Sequence, residues 1–273
     1  MAIITISRQI ASYGDETAAE LAKLLGYEFV DRKSLEADLI KLGVPESSLQ
    51  KYDEKKPTFW ASLLRDRDEY FDYLREAVYE HAQKGNTIFI GRGGFALLRG
   101  IPGCYSVRLV ASEHTRVERL MNEFNWPEKK AKELMIESDT NREGFHKCFF
   151  NVVHDDPAVH HIVINTDFVD HKTAANIIKY ACSQTVSAKE EEKGGEHIAD
   201  LLHGQKIINH IAFDLKLPIY FLDAEVSETE IVLHGVADSA SLIEQALVVA
   251  NDMAKGKPVR SSISMVNEYK PYP

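Results

Sequence analysis

Cysteine is scarce in this 273-residue chain: Cys104, Cys148 and Cys182 are odd in number, far apart and never in Cys-x-x-Cys spacing. That excludes a disulfide framework and leaves reduced, core-packing thiols as the expectation. No stretch approaches the ~20 apolar residues that a membrane helix requires. The opening Met1-Ala-Ile-Ile-Thr-Ile-Ser-Arg8 lacks the charged region and long apolar run of a signal peptide, so a cytoplasmic location is expected. Positive charge is also short, with 32 Lys and Arg against 42 Asp and Glu, a net charge of −10. Such a balance speaks against wrapping nucleic acid, and the acidic balance of the carboxyl-terminal part against binding an anionic membrane, because both draw affinity from clustered cations. It leaves room for a small phosphate ligand in a local basic pocket. Nothing in the order of residues suggests a Ser-His-Asp or Cys-His nucleophile.

What is present is an ordinary globular composition, 44% hydrophobic and 27% charged, long enough for one large or two unequal domains. The clearest break is the charged, glycine-bearing stretch 187–196, which has no apolar period and is expected to be a linker. Residues 187–273 carry 14 acidic and 8 basic groups, against 28 and 24 in residues 1–186. The amino-terminal part is therefore nearer balance for its size. There, short apolar runs alternate with helical periods, the signature of an α/β domain with a parallel sheet. Strands are expected over 3–7, 27–31, 87–91, 105–111 and 161–165. Helices are expected over 16–25, 67–83, 112–122, 127–142 and 173–182. In residues 197–273 a helix (197–215), two strands (220–226 and 230–236), a helix (239–254) and a last strand (260–266) predict a small α+β module.

The first unit is strand, loop, helix, a turn that aims free backbone N–H groups at the carboxyl edge of a sheet. Compared with the phosphate-binding pattern G-x-x-x-x-G-K-[ST], this loop has Arg8 at the first glycine, Tyr13 at the second, Gly14 at the lysine and Asp15 at the hydroxyl residue. By that motif alone a surface loop is as good a reading. Two other strands end in charged or glycine-flanked arginines, Asp31-Arg32 and Gly91-Arg92-Gly93, and both ends should face the same edge. Arg108, Arg116 and Arg119 follow. Asp139-Thr-Asn-Arg142 is expected to close a helix ahead of an irregular aromatic stretch, Phe145-His-Lys-Cys-Phe-Phe150.

In this order the residues resemble the cytidylate kinase-like family of P-loop nucleoside monophosphate kinases, over residues 2 to about 186. Ser7-Arg-Gln-Ile-Ala-Ser-Tyr-Gly-Asp-Glu16 is similar to the family's Ser-Arg-Gln-Phe-Gly-Ser-Gly-Gly-Arg-Glu. Asp31-Arg32, Gly91-Arg92-Gly93 and Ile164-Asn165-Thr166 match further motifs in the same order. The resemblance implies a three-layer α/β/α fold with a parallel sheet, to which the module read over residues 197–273 adds a second, smaller α+β domain. It implies ATP and Mg²⁺ as cofactors and small-molecule nucleotides as partners. A donor site would use Ser7, Arg8, Gln9, Ser12 and Gly14, with Asp15 on Mg²⁺. An acceptor site would use Asp31, Arg32, Gly91 and Arg92, under a lid at about 139–151. Arg8, Arg92 and Arg142 would neutralise the transferred phosphoryl group, Arg8 standing in for the lysine.

This loop departs from the family at Ala11 and Tyr13, where two glycines are lost. Asp15 and Glu16 bring negative charge to the helix start. Three readings therefore stay open: a kinase acting on a monophosphate such as CMP, a catalytically weak or inactive nucleotide-binding regulator, and a structural or adaptor protein in which the kinase fold is vestigial. Arg8 and Arg32 have a structural alternative as ion-pair partners, and Asp31 has one as a helix cap. Arg116 and Arg119, one turn apart, are expected to be solvated or ion-paired on a surface helix rather than to hold a ligand. The run His154-Asp-Asp-Pro-Ala-Val-His-His161 is expected to be an exposed loop rather than a metal site. Phe59, Trp60 and Tyr70-Phe-Asp-Tyr73 are expected to pack in a core or interface. Residues 197–273 look like a BON domain, with a second strand ending Gly235-Val236, which implies ligand sensing or self-association.

Overall fold

The computed structural model describes residues 2–51 and 65–266; the expectation for Phe59 and Trp60 lies outside them. Five strands form one parallel sheet: β1 (Ile3–Arg8), β2 (Glu28–Val30), β3 (Thr87–Ile90), β4 (Cys104–Val110) and β5 (Ile162–Asn165), in the spatial order β2-β3-β1-β4-β5. Its helices are α1 (Gly14–Leu25), α2 (Arg32–Leu42), α3 (Glu46–Lys51), α4 (Arg65–Lys84), α5 (Gly94–Leu97), α6 (Glu113–Phe124), α7 (Glu128–Phe150) and α8 (His171–Thr185). β1 is central, and its neighbours β3 and β4 lie on opposite sides. That makes its carboxyl end the point where the strand order reverses, and such a point opens a crevice for ligands.

Alternation along the strands separates two faces. Ile4, Ile6, Ile88, Ile90, Val107 and Leu109 pack with Ala18 and Leu21 of α1 and Ala174 and Ile178 of α8 in one core cluster. Ile3 and Phe89 point the other way, into a second cluster with Leu35 and Leu39 of α2 and Tyr70, Leu74 and Val78 of α4. On that second face the strands turn polar toward their carboxyl ends. Thr5 is in register with Ser106 and Ser7 with Arg108, and all four side chains are buried. A buried polar strip thus runs between β1 and β4.

The expected linker is helical. Residues 188–209 form α9 (Ala188–Asn209), opened by Ser187 in a capping box with Glu190 and extended by one π-helical turn over 210–214. Of the two glycines in that stretch, Gly194 serves close packing, as does Gly204 further along the helix, while Gly195 faces open space. A Cβ on Gly194 would lie 1.9 Å from the Pro102 carbonyl oxygen, and one on Gly204 would lie 2.3 Å from that of Ala224. Ile198 and Leu202 join the α4 core cluster, while Ile207 belongs to the core of a second sheet. Lys206 pairs with Glu80 at 2.6 Å, and Asn209 Nδ2 donates to Glu76 at 2.5 Å.

The second sheet, ordered β6-β7-β8, has β6 (Tyr220–Val226) antiparallel to β7 (Ile231–Ala237) and β8 (Val259–Met265) parallel to β7. The crossover between β7 and β8 is α10 (Ala240–Met253). Ile231, Leu233, Ala246 and Ala250 form its core with Ile207 and Ile211. Among the described residues, no helix is long and apolar enough to cross a membrane.

Candidate functional site

β1 delivers Ser7 and Arg8 to the loop that turns back into α1, and the loop is held from outside by β4 and α6. The Gln9 N–H donates to Leu109 O at 3.1 Å, and Gln9 Oε1 accepts from the Ala111 N–H at 3.1 Å. The buried Ser12 hydroxyl reaches Gln9 O at 2.9 Å and Leu109 O at 3.1 Å. Arg116 and Arg119 lie against this loop and not on a solvated face. Arg116 Nε donates to Ile10 O and Arg119 Nη1 to Ala11 O, each at 2.9 Å, and Asp139 balances Arg116 at 2.8 Å. Their partners lie far along the chain, so the one-turn spacing could not reveal them.

Ala11 and Tyr13 both have φ 58°. The left-handed backbone is present although the side chains oppose it at roughly 1–2 kcal/mol each. Part of that cost is offset at Tyr13, whose ring lies 3.6 Å from the Arg119 guanidinium carbon. Tyr13 is the N-cap of α1 and makes no side-chain cap hydrogen bond, which leaves the first helical N–H groups for water or an anion. Gly14 is needed for close approach, since a Cβ there would fall 2.5 Å from Arg8 Cγ. The Arg8 stem therefore lies directly over the helix start. Asp15 is exposed in the first turn, beside Glu16.

At the end of β3, Gly91, Arg92 and Gly93 are consecutive left-handed residues with φ 72°, 51° and 71°. Arg92 is only 1% exposed. It donates to Glu36 at 2.5 Å and to the Tyr70 hydroxyl at 3.2 Å. Glu36 also accepts from Arg32 at 2.8 Å, so one carboxylate of α2 joins both arginines of the expected acceptor site. Asp31 is the N-cap of α2, its Oδ1 accepting from the Ser34 N–H at 2.9 Å. In this arrangement Asp31 serves its helix, the structural alternative that the sequence left open.

The expectation that a helix closes at Arg142 is corrected: α7 continues to Phe150, and the aromatic run is its last two turns. The spacing of Phe145 and Phe149, four residues apart with ring centroids at 4.9 Å, stacks them on one helix face. Phe150 lies on Gly93, where a Cβ would come within 2.1 Å of its ring. Arg142, half-buried on α7, donates to Ser138 at 2.5 Å.

Arg108 is the site residue to which sequence reasoning gave no role, although an arginine inside the apolar strand Tyr105-Ser-Val-Arg-Leu-Val110 was a usable signal. It is 2% exposed, donates to Ser7 Oγ at 2.7 Å and pairs with the half-exposed Asp155. Burial lowers its proton affinity, Asp155 and Asp139 oppose that, and Arg142 is near enough to add repulsion. His154, expected in an exposed loop, is buried and stacked on His146 at 4.6 Å. Burial first, then His146 and Arg108, push it down to about 4. His160 is buried as well. Among the described residues, no group of three His, Cys, Asp or Glu side chains could hold a metal ion alone.

A parallel sheet of this order, with a loop-to-helix turn after the central strand and arginines along its carboxyl edge, defines a P-loop kinase-type α/β fold. The chain belongs to the cytidylate kinase-like family, whose model matches residues 3–168. It is similar to a cytidylate kinase of Thermoplasma acidophilum, 24% identical over 169 residues that make up 61% of this chain and 84% of that protein. Among solved structures, an uncharacterized protein from Eubacterium ventriosum aligns with a TM-score of 0.52 at 19% identity, covering 67% of this chain and 99% of that one. At that identity the likeness concerns the fold alone.

Proposed function

We propose that the protein is a phosphotransferase that moves the γ-phosphoryl group of ATP to a nucleoside monophosphate, with a pyrimidine monophosphate such as CMP as acceptor. The observation that carries this reading is the buried Arg108 set beside Ser7 at the switch point of a family-typical sheet, with Arg142 in electrostatic reach. Phosphoryl transfer asks little covalent work of a protein and depends on positioning and charge neutralisation.

The residues present fit a nucleoside triphosphate. The uncapped amides at the start of α1 and the guanidinium of Arg8 laid over Gly14 would hold its phosphates. Asp15, exposed in that first turn, would hold Mg²⁺ together with phosphate oxygens and water, as this ion commonly binds. When bound, the ion supplies charge neutralisation between the phosphates. Ser7, Gln9 and Ser12 fix the loop's course, and Arg108 and Arg142 orient the transferred group. Asp155, 59% exposed, occupies with its carboxylate the position on Arg108 that a phosphate oxygen would take, and it is displaced when the ligand enters. On the acceptor side Arg92 is held ready by Glu36 and Tyr70, with Gly91, Asp31 and Arg32 shaping the wall beside it. A coupled assay with Mg-ATP and a panel of monophosphates tests the reading. Turnover is expected to be fastest with a pyrimidine monophosphate, and folded protein without turnover on any acceptor would refute it.

Residues 197–273 we read as a BON-like interaction module attached to the catalytic residues 1–186, suited to ligand sensing or self-association. Support comes from Phe221, left-handed and exposed on the edge strand β6. Sedimentation of the wild type against Phe221→Ser checks self-association.

A further inference from the structure

The acceptor side of the sheet edge holds three charged groups whose exposure falls inward. The side chain of Arg32 is 52% exposed, that of Glu36 20% and that of Arg92 2%. One carboxylate oxygen, Glu36 Oε1, accepts from both guanidiniums, from Arg32 Nε at 2.8 Å and from Arg92 Nη2 at 2.5 Å. The other terminal nitrogen of Arg92 donates to the Tyr70 hydroxyl at 3.2 Å. A molecule arriving from solvent therefore meets Arg32 and Glu36 before it can meet Arg92.

A single oxygen bridging two guanidiniums occupies the place of a bound anion, since each guanidinium is a fixed cation with only donors to offer. The three groups together carry one positive charge, so the protein has half neutralised its own site. Glu36 lies one turn after Arg32 in α2. Being part of the chain, it competes for the arginines without the translational cost that a free ligand meets. A monoanion that replaced it would exchange charge like for like and lose that advantage. A dianion brings one charge more and further acceptor oxygens, and for it the exchange is favourable.

We infer that Glu36 is a specificity-determining residue of the acceptor site, a built-in carboxylate that keeps monoanions off Arg32 and Arg92 and yields only to a dianionic phosphate monoester. Resting on the acceptor reading proposed above, this assigns the class of anion the site admits. A terminal phosphate monoester enters, whereas a phosphodiester, a cyclic phosphate or a carboxylate is refused. The donor side is the less selective of the two, because the carboxylate on Arg108 belongs to Asp155, 59% exposed in a turn.

The test uses the full chain and two probes, CMP and its phosphate methyl ester, well above the second phosphate pKa of about 6, where the first is a dianion and the second a monoanion. Calorimetry on the wild type is expected to show CMP binding at least thirtyfold tighter. Glu36→Gln keeps the shape and an acceptor oxygen for Arg92 while removing the charge. It is expected to bind the methyl ester at least tenfold tighter than the wild type does and to bring the ratio of the two probes below five. Wild-type crystals grown with CMP should show Glu36 away from Arg92, a readout that needs no variant. An unchanged ratio or weaker CMP binding in folded Glu36→Gln, Glu36 still on Arg92 in the complex, or no binding of either probe would each overturn the assignment. Methyl phosphate and dimethyl phosphate, followed by the side-chain ¹⁵N resonances of Arg32 and Arg92, repeat the comparison without a nucleoside. If that pair separates in the wild type and not in Glu36→Gln while no monophosphate is turned over, the charge selection stands and the kinase reading falls. Turnover of CMP with an unchanged ratio does the reverse.

Discussion

The loops that follow β1 and β3 lie side by side at the sheet's carboxyl edge, and both need left-handed backbone, yet only one keeps its glycines. After β3, a side chain on Gly93 would run into Phe150, so space as well as φ demands glycine. After β1, Ala11 and Tyr13 have the same conformation with side chains in place, because Arg119 meets the Ala11 carbonyl and the Tyr13 ring. A strained backbone therefore tolerates a side chain where something contacts it favourably, and rejects one where the room is already taken. The second loop is a packing joint, and the first is tied down by neighbours that are themselves charged.

The most severe way to break this contrast is Gly93→Ala. Overpacking and the left-handed φ together should cost about 3 kcal/mol in a urea titration, with the packing share recovered in a Phe150→Ala background. A loss below about 1 kcal/mol would mean that Phe150 is not closely seated. Next comes Arg8→Ala, which should weaken ATP by roughly 1.5–3 kcal/mol if Arg8 grips phosphate. Calorimetry showing unchanged affinity would make Arg8 a lid on Gly14 and nothing more.

Acid should loosen the joint before the loop. His154, stacked under the end of α7, titrates at about 4 in the fold because of its burial and its cationic neighbours, against about 6.5 when unfolded. The unfolded chain therefore takes up the proton first. Stability is flat above about pH 6.5 and falls as pH drops toward 4, with the buried His160 adding in the same sense. Melting temperatures recorded between pH 7.5 and 5 check this, and a level profile would contradict it. The smallest effect is Ala11→Gly, expected to raise stability by up to about 1 kcal/mol. A decrease would show that the Ala11 side chain contributes more than its backbone costs.

Much of the framework was legible because it is local. Alternating apolar runs and helical periods located the eight strands among the described residues to within a residue or two, and the Ser-Arg-Gln and Gly-Arg-Gly motifs stand at the sheet edge to which the proposal assigns the site. What could not be read depends on distance. The partners of Arg108 and Arg116 lie 47 and 23 residues away, and no spacing rule connects them. A helix after Asp31 was in view through its cap, but the extent of α2 was not, because Leu35 and Leu39 are its buried residues, too sparse a period to stand out beside Asp31-Arg32. Glycines and charge at 187–196 suggested freedom where the fold needed a helix without side chains at one contact. The buried histidines were misjudged for a related reason, since polar residue types in a short run resemble a surface.

The length and position of α9 bear on how the chain comes to be folded. Its contacts join Glu76 and Glu80 to residues 133 and 126 positions later, so the apolar side of α4 waits uncovered while everything between is synthesised. At ribosomal rates of about 5–20 residues per second, that wait is on the order of ten seconds. The part of the α4 core that Ile198 and Leu202 complete can therefore close only after the last third of the chain has begun to emerge.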